Sequence, residues 1–344
     1  MTTVSLVDVS HYLPGEPVPA RYFTAHAASH HPLSGNAIFD APAHRHHAAR
    51  DESNVDMIER AVRPLVERQG EATIRDVDVL IVHSQLPDLP FIGAGTEVAR
   101  RLGLNPEWLI DLAGGGCVSF VCMLKTAREL ILGTSARSAL ICNSQTTAGW
   151  VYTDPGVLGD PQAAIPGDGC GVAYLTEGDS APILGSLARA VPAYAGEMRL
   201  RCAEDRKYWE PGTEQFRIAF SEAGIARVLE RGNRLVPEAV EELCGGLGLA
   251  TTEIDALITN QPNRLFLRTW REALRVLPER HHDTFDRCGN LFGAALPVNL
   301  DLAVEAGRIR PGDLVVFAGF AHAGDFTGAA AVRWGGRGAG EGKA

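Results

Sequence analysis

An α/β architecture built from two similar halves is what this 344-residue sequence predicts, and three observations carry it. Two short apolar runs, VDVLIVHS at 77–84 and SALICNS at 138–144, are bounded by polar residues, and each follows a stretch with helical amphipathic spacing. Runs of this length read as buried strands. The same order of helix then strand returns later in the chain. VPEAVEELCGGLGL reads as a helix ending in glycines, IDALITNQ as a buried strand, and LDLAVEAGRIRPGD as a helix stopped before the strand LVVFAGFA. Between the two sets lies GDGCGVAYLTEGD at 167–179, a glycine-rich turn that feeds a strand and ends in a polar break. The repeat is one of architecture rather than residue identity, with buried sheets covered by helices. The expected organisation is an N-terminal half over 1–180, a C-terminal half over 181–335, and a low-complexity, disordered tail over 336–344.

The bulk composition narrows the function. A hydrophobic content of 45% is ample for a large core. A formal net charge of -10, with acidic residues spread along the chain, argues against nucleic-acid and polybasic membrane partners. No run approaches eighteen apolar residues, and MTTVSLVDVSHYLPG lacks a basic region followed by a hydrophobic one, so a cytoplasmic location is expected. The seven cysteines are odd in number and lack metal-type spacing, so most are expected to be small buried hydrophobes. His44, His46 and His47, with His30 and His31 upstream, form a histidine-dense tract. It reads as an exposed polar loop rather than a metal site, since no acidic or cysteine ligand stands at tight spacing.

Cys117 is the candidate nucleophile. It follows the loop DLAGGG, and the apolar periodicity of VSFVCMLKTARELIL predicts a helix just after it. Backbone N–H groups and the helix dipole at that position are expected to lower the thiol pKa. The competing reading is a buried structural cysteine.

Five collinear segments then resemble one family, the ketoacyl synthase III enzymes. They are DLAGGGCVSFVCMLKTA around the nucleophile, DPQAAIPGDGCGVAYL at 160–175, ITNQPNRLF at 258–266, CGNLFGAALPVNL at 288–300 and AGFAHAGDFTGAAAVRW at 318–334. The resemblance implies a thiolase-like five-layered αβαβα fold, a homodimer, and a thioester donor that acylates Cys117 before a second substrate receives the acyl group. It implies no bound cofactor, the substrate being an acyl-coenzyme A or acyl-carrier-protein thioester. By position, Asn290 is a hydrogen-bond donor to a thioester carbonyl, and the N–H groups of Cys117 and Ala323 form an oxyanion hole. Asn263 falls in the substrate-binding segment. Phe91 matches the residue that walls the partner's acyl pocket, the plain alternative being core packing.

Two departures from the family stand out. Where its histidine is expected the chain reads Asn260-Gln261-Pro262-Asn263. Asparagine can donate a hydrogen bond but cannot take a proton. His322, with Asp325 three residues on, stands where the family has glycine, and is the candidate base if it does more than shape its loop. The second departure is the segment at 24–47, longer than the family's and without the tryptophan that grips coenzyme A. This favours an acyl carrier protein as donor, meeting Arg45 and Arg50. Three functions remain open at this point: an acyltransferase of polyketide-type metabolism acting on oxygen, nitrogen or a carrier thiol; a decarboxylating condensing enzyme; and a non-catalytic partner subunit.

Overall fold

The computed structural model describes residues 2–26, 31–89, 91–202, 206–207, 209–218 and 220–337. His30 of the histidine tract and residues 338–344 of the expected tail lie outside the described residues. Five strands, β1 (Val4–Tyr12), β2 (Val79–Ser84), β3 (Trp108–Asp111), β4 (Ser138–Gln145) and β5 (Gly169–Glu177), form one sheet in the order β1-β5-β4-β2-β3. A second sheet takes β6 (Ile183–Ala190), β7 (Ala256–Thr259), β8 (Leu314–Ala321) and β9 (Phe326–Arg333) in the order β7-β8-β9-β6.

The two sheets share one plan. In each, the last strand runs antiparallel between the first strand and the penultimate one, and the penultimate strand pairs in parallel with an earlier strand. Thus β2 in the first half corresponds to β7 in the second, and β4 to β8. Both β4 and β8 are buried along their whole length. That is why they read as continuous apolar runs instead of alternating ones, since a sheet covered on both faces has no solvent side.

Helices α1 (Asn54–Gln69), α2 (Gly95–Leu102), α3 (Ser119–Gly133), α4 (Glu222–Gly246), α5 (Arg264–Ala273) and α6 (Ala295–Glu305) make up the remaining layers. Helix α1 packs on the outer face of the first sheet and α4 on the outer face of the second, while α3 and α6 lie between the sheets and touch strands of both. The apolar core divides accordingly. Phe120, Met123 and Leu296 fill the middle; Met57, Ile58 and Leu140 pack under α1; Val240, Trp270 and Val316 pack under α4 and α5. Helix α6 is buried on every side over Ala295–Ala303, as a helix between two sheets must be.

Two element boundaries differ from the sequence expectation. The helix read from Val236 is the second half of α4, and Pro237 lies inside it rather than opening it. Helix α6 starts at Ala295, five residues before the expected position. Its first turn, ALPV, is apolar throughout and carries no amphipathic period to mark a start. Among the described residues, no helix is long and apolar enough to cross a membrane.

Candidate active site

The two central helices point their N-termini at one place. Cys117 sits in a single 3-10 turn, Gly116–Val118, that leads from β3 into α3. Gly116 has φ +49°, and a methyl group on it would lie 3.1 Å from both the Ala321 Cβ and the His322 Nε2. Glycine is required there on both counts. From the other half, the turn Phe292–Ala294 leads into α6, with Asn290 just before it. The Asn290 Oδ1 accepts the Phe292 N–H at 3.0 Å, and its backbone is clamped by N–H to Ile165 O (2.9 Å) and by the Gly167 N–H (3.0 Å). A methyl on Gly293 would strike the Ser119 Oγ at 2.0 Å and the Gly116 O at 2.7 Å, so the two turns are in direct contact.

Asn260 follows β7 and is fully buried. Its side-chain amide lies near enough to Cys117 to favour the thiolate and donates weakly to Phe320 O at 3.4 Å, while its Oδ1 has no partner among the described residues. Gly319 makes the room, since a methyl there would lie 2.6 Å from that oxygen. The neighbouring Gln261 was not singled out by sequence, yet it braces the Asn290 loop. It donates to Gly289 O at 2.5 Å and accepts from the Thr284 N–H (3.1 Å) and Asn299 Nδ2 (3.0 Å). Asn263 uses its Oδ1 to cap α5 through the Phe266 N–H at 3.0 Å, so its carbonyl is committed to the fold.

His322 directly follows β8, in the left-handed region at φ +50°, uncommon for a non-glycine residue and a mark of a site the surroundings hold in place. Its Nδ1 is 2.9 Å from the Asp325 Oδ1. Arg231 reaches the same loop by donating to Ala323 O at 3.4 Å.

A cavity of about 320 Å³ joins these groups: Cys117, Asn260, Asn263, Asn290 and His322 all line it. Its walls are otherwise mostly apolar, with Phe39, Tyr152, Phe220 and Phe266 prominent, and Met198 and Gln85 also reach it. Neither Ala323 nor Asp325 is among its lining residues, and Gln145 is buried in β4 away from it. A second cavity of about 370 Å³ meets the first at Gln85, Gly116 and His322, and is further lined by His83, Asp111, Phe91 and Ile92. Phe91 is 96% exposed, which removes the core-packing alternative for it.

Comparison with known proteins assigns this architecture. Residues 110–191 match the family described as 3-oxoacyl-[acyl-carrier-protein (ACP)] synthase III, and residues 245–334 match its C-terminal part. The β-ketoacyl-[acyl-carrier-protein] synthase III of Thermosynechococcus vestitus is 30% identical over 298 residues, covering 84% of this chain and 86% of the relative. The chain belongs to the synthase III family. Among solved structures, the synthase III of Thermus thermophilus is similar with a TM-score of 0.80 at 27% identity, covering 96% of this chain and 99% of that one. The priming β-ketosynthase of the R1128 polyketide pathway shares the fold with a TM-score of 0.82 at 20% identity, covering 98% and 97%. The layers described above are thus the thiolase-like fold of synthase III proteins.

Within this synthase III site the electrostatics differ from the sequence expectation. Burial pushes the Cys117 thiol up to about 12, against the opposing hydrogen bond from Asn260. The shift therefore runs opposite to the lowering expected at the helix N-terminus, because desolvation of the thiolate outweighs the hydrogen bonds made to it. Arg45 is corrected as well. It is fully buried, with its Cζ 3.4 Å from the centroid of the Phe23 ring, so it cannot meet a carrier protein, whereas Arg50 is exposed. The histidine tract is not a uniformly exposed loop either. His44 is exposed, but His46 is buried with its Nδ1 3.0 Å from Pro14 O. Metal-type ligand atoms do come together at His11, Asp301 and Glu305. Arg337 pairs with both of those carboxylates, and His11 bonds Asp301, which accounts for the cluster as an ion-pair network.

Proposed function

We propose that this chain is a thioester-dependent acyltransferase that loads an acyl group onto Cys117 and passes it to an oxygen, nitrogen or carrier-thiol acceptor, with His322 as general base. The observation that carries the reading is the sharing of one cavity by a protonated thiol and a histidine oriented by a carboxylate. A thiol pushed up to about 12 needs a base as it attacks. The Asp325 carboxylate accepts from the Nδ1–H of His322 and so leaves Nε2, the nitrogen facing Gly116, as the acceptor.

In the first half-reaction the Cys117 Sγ attacks the donor carbonyl, its proton passes to His322 Nε2, and the donor thiol departs with that proton. In the second, the acceptor attacks the acyl carbon while His322 takes its proton and returns it to the Cys117 sulfur, regenerating the resting enzyme. The amides of Asn260 and Asn290 and the backbone N–H of Cys117 stabilise the carbonyl oxygen as it becomes negative, Ala323 lying outside the cavity lining. An acyl carrier protein is the partner and donor we assign, with coenzyme A thioesters as the alternative source. The working form is a homodimer in which the exposed Phe91 meets the partner subunit.

One second reading has its own support. Two amides, Asn260 and Asn290, line the cavity together, an arrangement suited to a malonyl-derived enolate, and the relatives are named as β-ketoacyl synthases. Decarboxylative condensation would release carbon dioxide from a malonyl donor and would not need His322. Single-turnover assays separate the two. Acyl transfer that falls about 100-fold in His322→Ala supports the transferase; malonyl-dependent release of carbon dioxide that survives in His322→Ala supports the condensing enzyme.

A further inference from the structure

The second cavity contains a histidine that the proposed reaction does not use. His83 is the penultimate residue of β2, the strand whose place in the first sheet is the place of β7 in the second. Asn260 directly follows β7, while His83 and Ser84 close β2 and Gln85 follows it.

His83 is 4% exposed, and its Nδ1 lies 2.8 Å from Leu112 O. A carbonyl can only accept, so Nδ1 carries the proton and Nε2 is left as a lone-pair acceptor. Among the described residues Nε2 has no hydrogen-bond partner, and the ring lines the second cavity together with His322. Burial, with a smaller repulsion from His322, holds the ring in its neutral form. A neutral, tautomer-fixed imidazole in a cavity is built to accept one hydrogen bond.

The rest of the cavity agrees with a small protic ligand. Ser84 and Gln85 each have a buried side-chain oxygen without a partner, and Gly93, Gly114 and Gly116 leave the walls low. Buried polar atoms without partners are rare unless water or a ligand meets them. The two cavities touch at Gly116, beside Cys117, and at His322.

We propose that the second cavity is the subsite of the acyl acceptor, a compact nucleophile with two protic hydrogens, such as an amine or amino alcohol: one N–H or O–H donates to His83 Nε2, while the proton that His322 takes sits on the nucleophilic atom. His83 is thus a positioning residue: it sets the acceptor's orientation, and His322 takes the proton during attack. This rests on the reading of His322 as base, and the experiment keeps the two separate.

The probe is hydroxylamine, a compact neutral nucleophile with both O–H and N–H donors. In the first arm, full-length resting protein with ¹⁵N-labelled histidine is titrated with hydroxylamine, the His83 signal being assigned by its loss in His83→Gln. A saturable shift of His83 Nε2 is expected; no shift overturns the proposal whether or not an acyl-enzyme can be formed. In the second arm, acylation of Cys117 and release of the hydroxamate are timed separately. His83→Phe is expected to raise KM for hydroxylamine roughly tenfold, with far less change in acylation, and His83→Gln, which keeps an acceptor oxygen, to recover most of the loss. Equal slowing of both steps would assign His83 a structural role only and overturn the subsite. A saturable His83 shift with transfer unaffected in His322→Ala would retain the subsite and remove the base.

Discussion

Helices α3 and α6 reach the middle layer through matching turns. Each is preceded by one 3-10 turn, and each approach has a residue at positive φ, Gly116 at +49° and Phe292 at +52°. The first half uses glycine because Ala321 and His322 come within 3.1 Å of where a side chain would begin. The second half has the space and accepts a phenylalanine in a conformation that costs about 1–2 kcal/mol, with the Asn290 Oδ1 taking up the Phe292 N–H. A duplicated frame therefore delivers two helix N-termini to one cavity. Divergence at single positions then gives the thiol to one, the amide to the other, and the histidine to a loop that follows β8.

The sharpest way to break the comparison is to remove the group that only one turn carries. Cys117→Ala should lose acyl-enzyme formation by at least about 1000-fold, as measured by intact mass after a thioester pulse. Next in size, His322→Ala should slow transfer about 100-fold, and Asp325→Asn about tenfold, since the latter leaves the imidazole in place but loosens its tautomer; equal effects on acyl-enzyme affinity and transfer would refute this.

The thiol gives a pH test. With its pKa at about 12, Cys117 is neutral at pH 7 and its thiolate fraction grows as pH rises. Iodoacetamide alkylation at Cys117 should accordingly climb roughly tenfold per pH unit between pH 7 and 10. Asn260→His, which places a proton acceptor against the sulfur, should raise the rate at pH 7 and flatten the slope. A plateau near pH 7 in the unaltered protein would show that the helix dipole and N–H donors outweigh burial after all.

Smaller effects probe the frame itself. Gly116→Ala adds a methyl in a left-handed backbone against Ala321 and His322, and should cost about 1–2 kcal/mol in urea unfolding.

Much of the frame was legible in the chain, and for a physical reason. VDVLIVHS, SALICNS and LVVFAGFA are apolar without alternation because helices cover both faces of their sheets, and all three form β2, β4 and β8. The position of Cys117 before a helix could also be read from glycines followed by a 3.6-residue period. What sequence reading missed depends on distance in space. Gln261 braces the Asn290 loop only because Thr284 and Asn299 fold back onto it, and His83 matters only through a cavity shared with a residue 239 positions away (322 − 83). Arg45 looked like a surface cation, yet it stacks on Phe23 in the interior, a pairing no local pattern announces. The thiol pKa failed for a related reason: helix position is written in sequence, but the desolvation that dominates it is not.

The central claim is that His322 serves an acyl group held on Cys117. Intact-protein mass spectrometry, with acetyl, malonyl and longer acyl donors on coenzyme A and on carrier protein, tests it most directly when wild type, Cys117→Ala and His322→Ala are followed in time after addition of acceptor. The account predicts a donor-matched adduct absent in Cys117→Ala, and an adduct that decays on acceptor addition in wild type but persists in His322→Ala. An adduct that decays equally fast in His322→Ala, or that forms without Cys117, would contradict it.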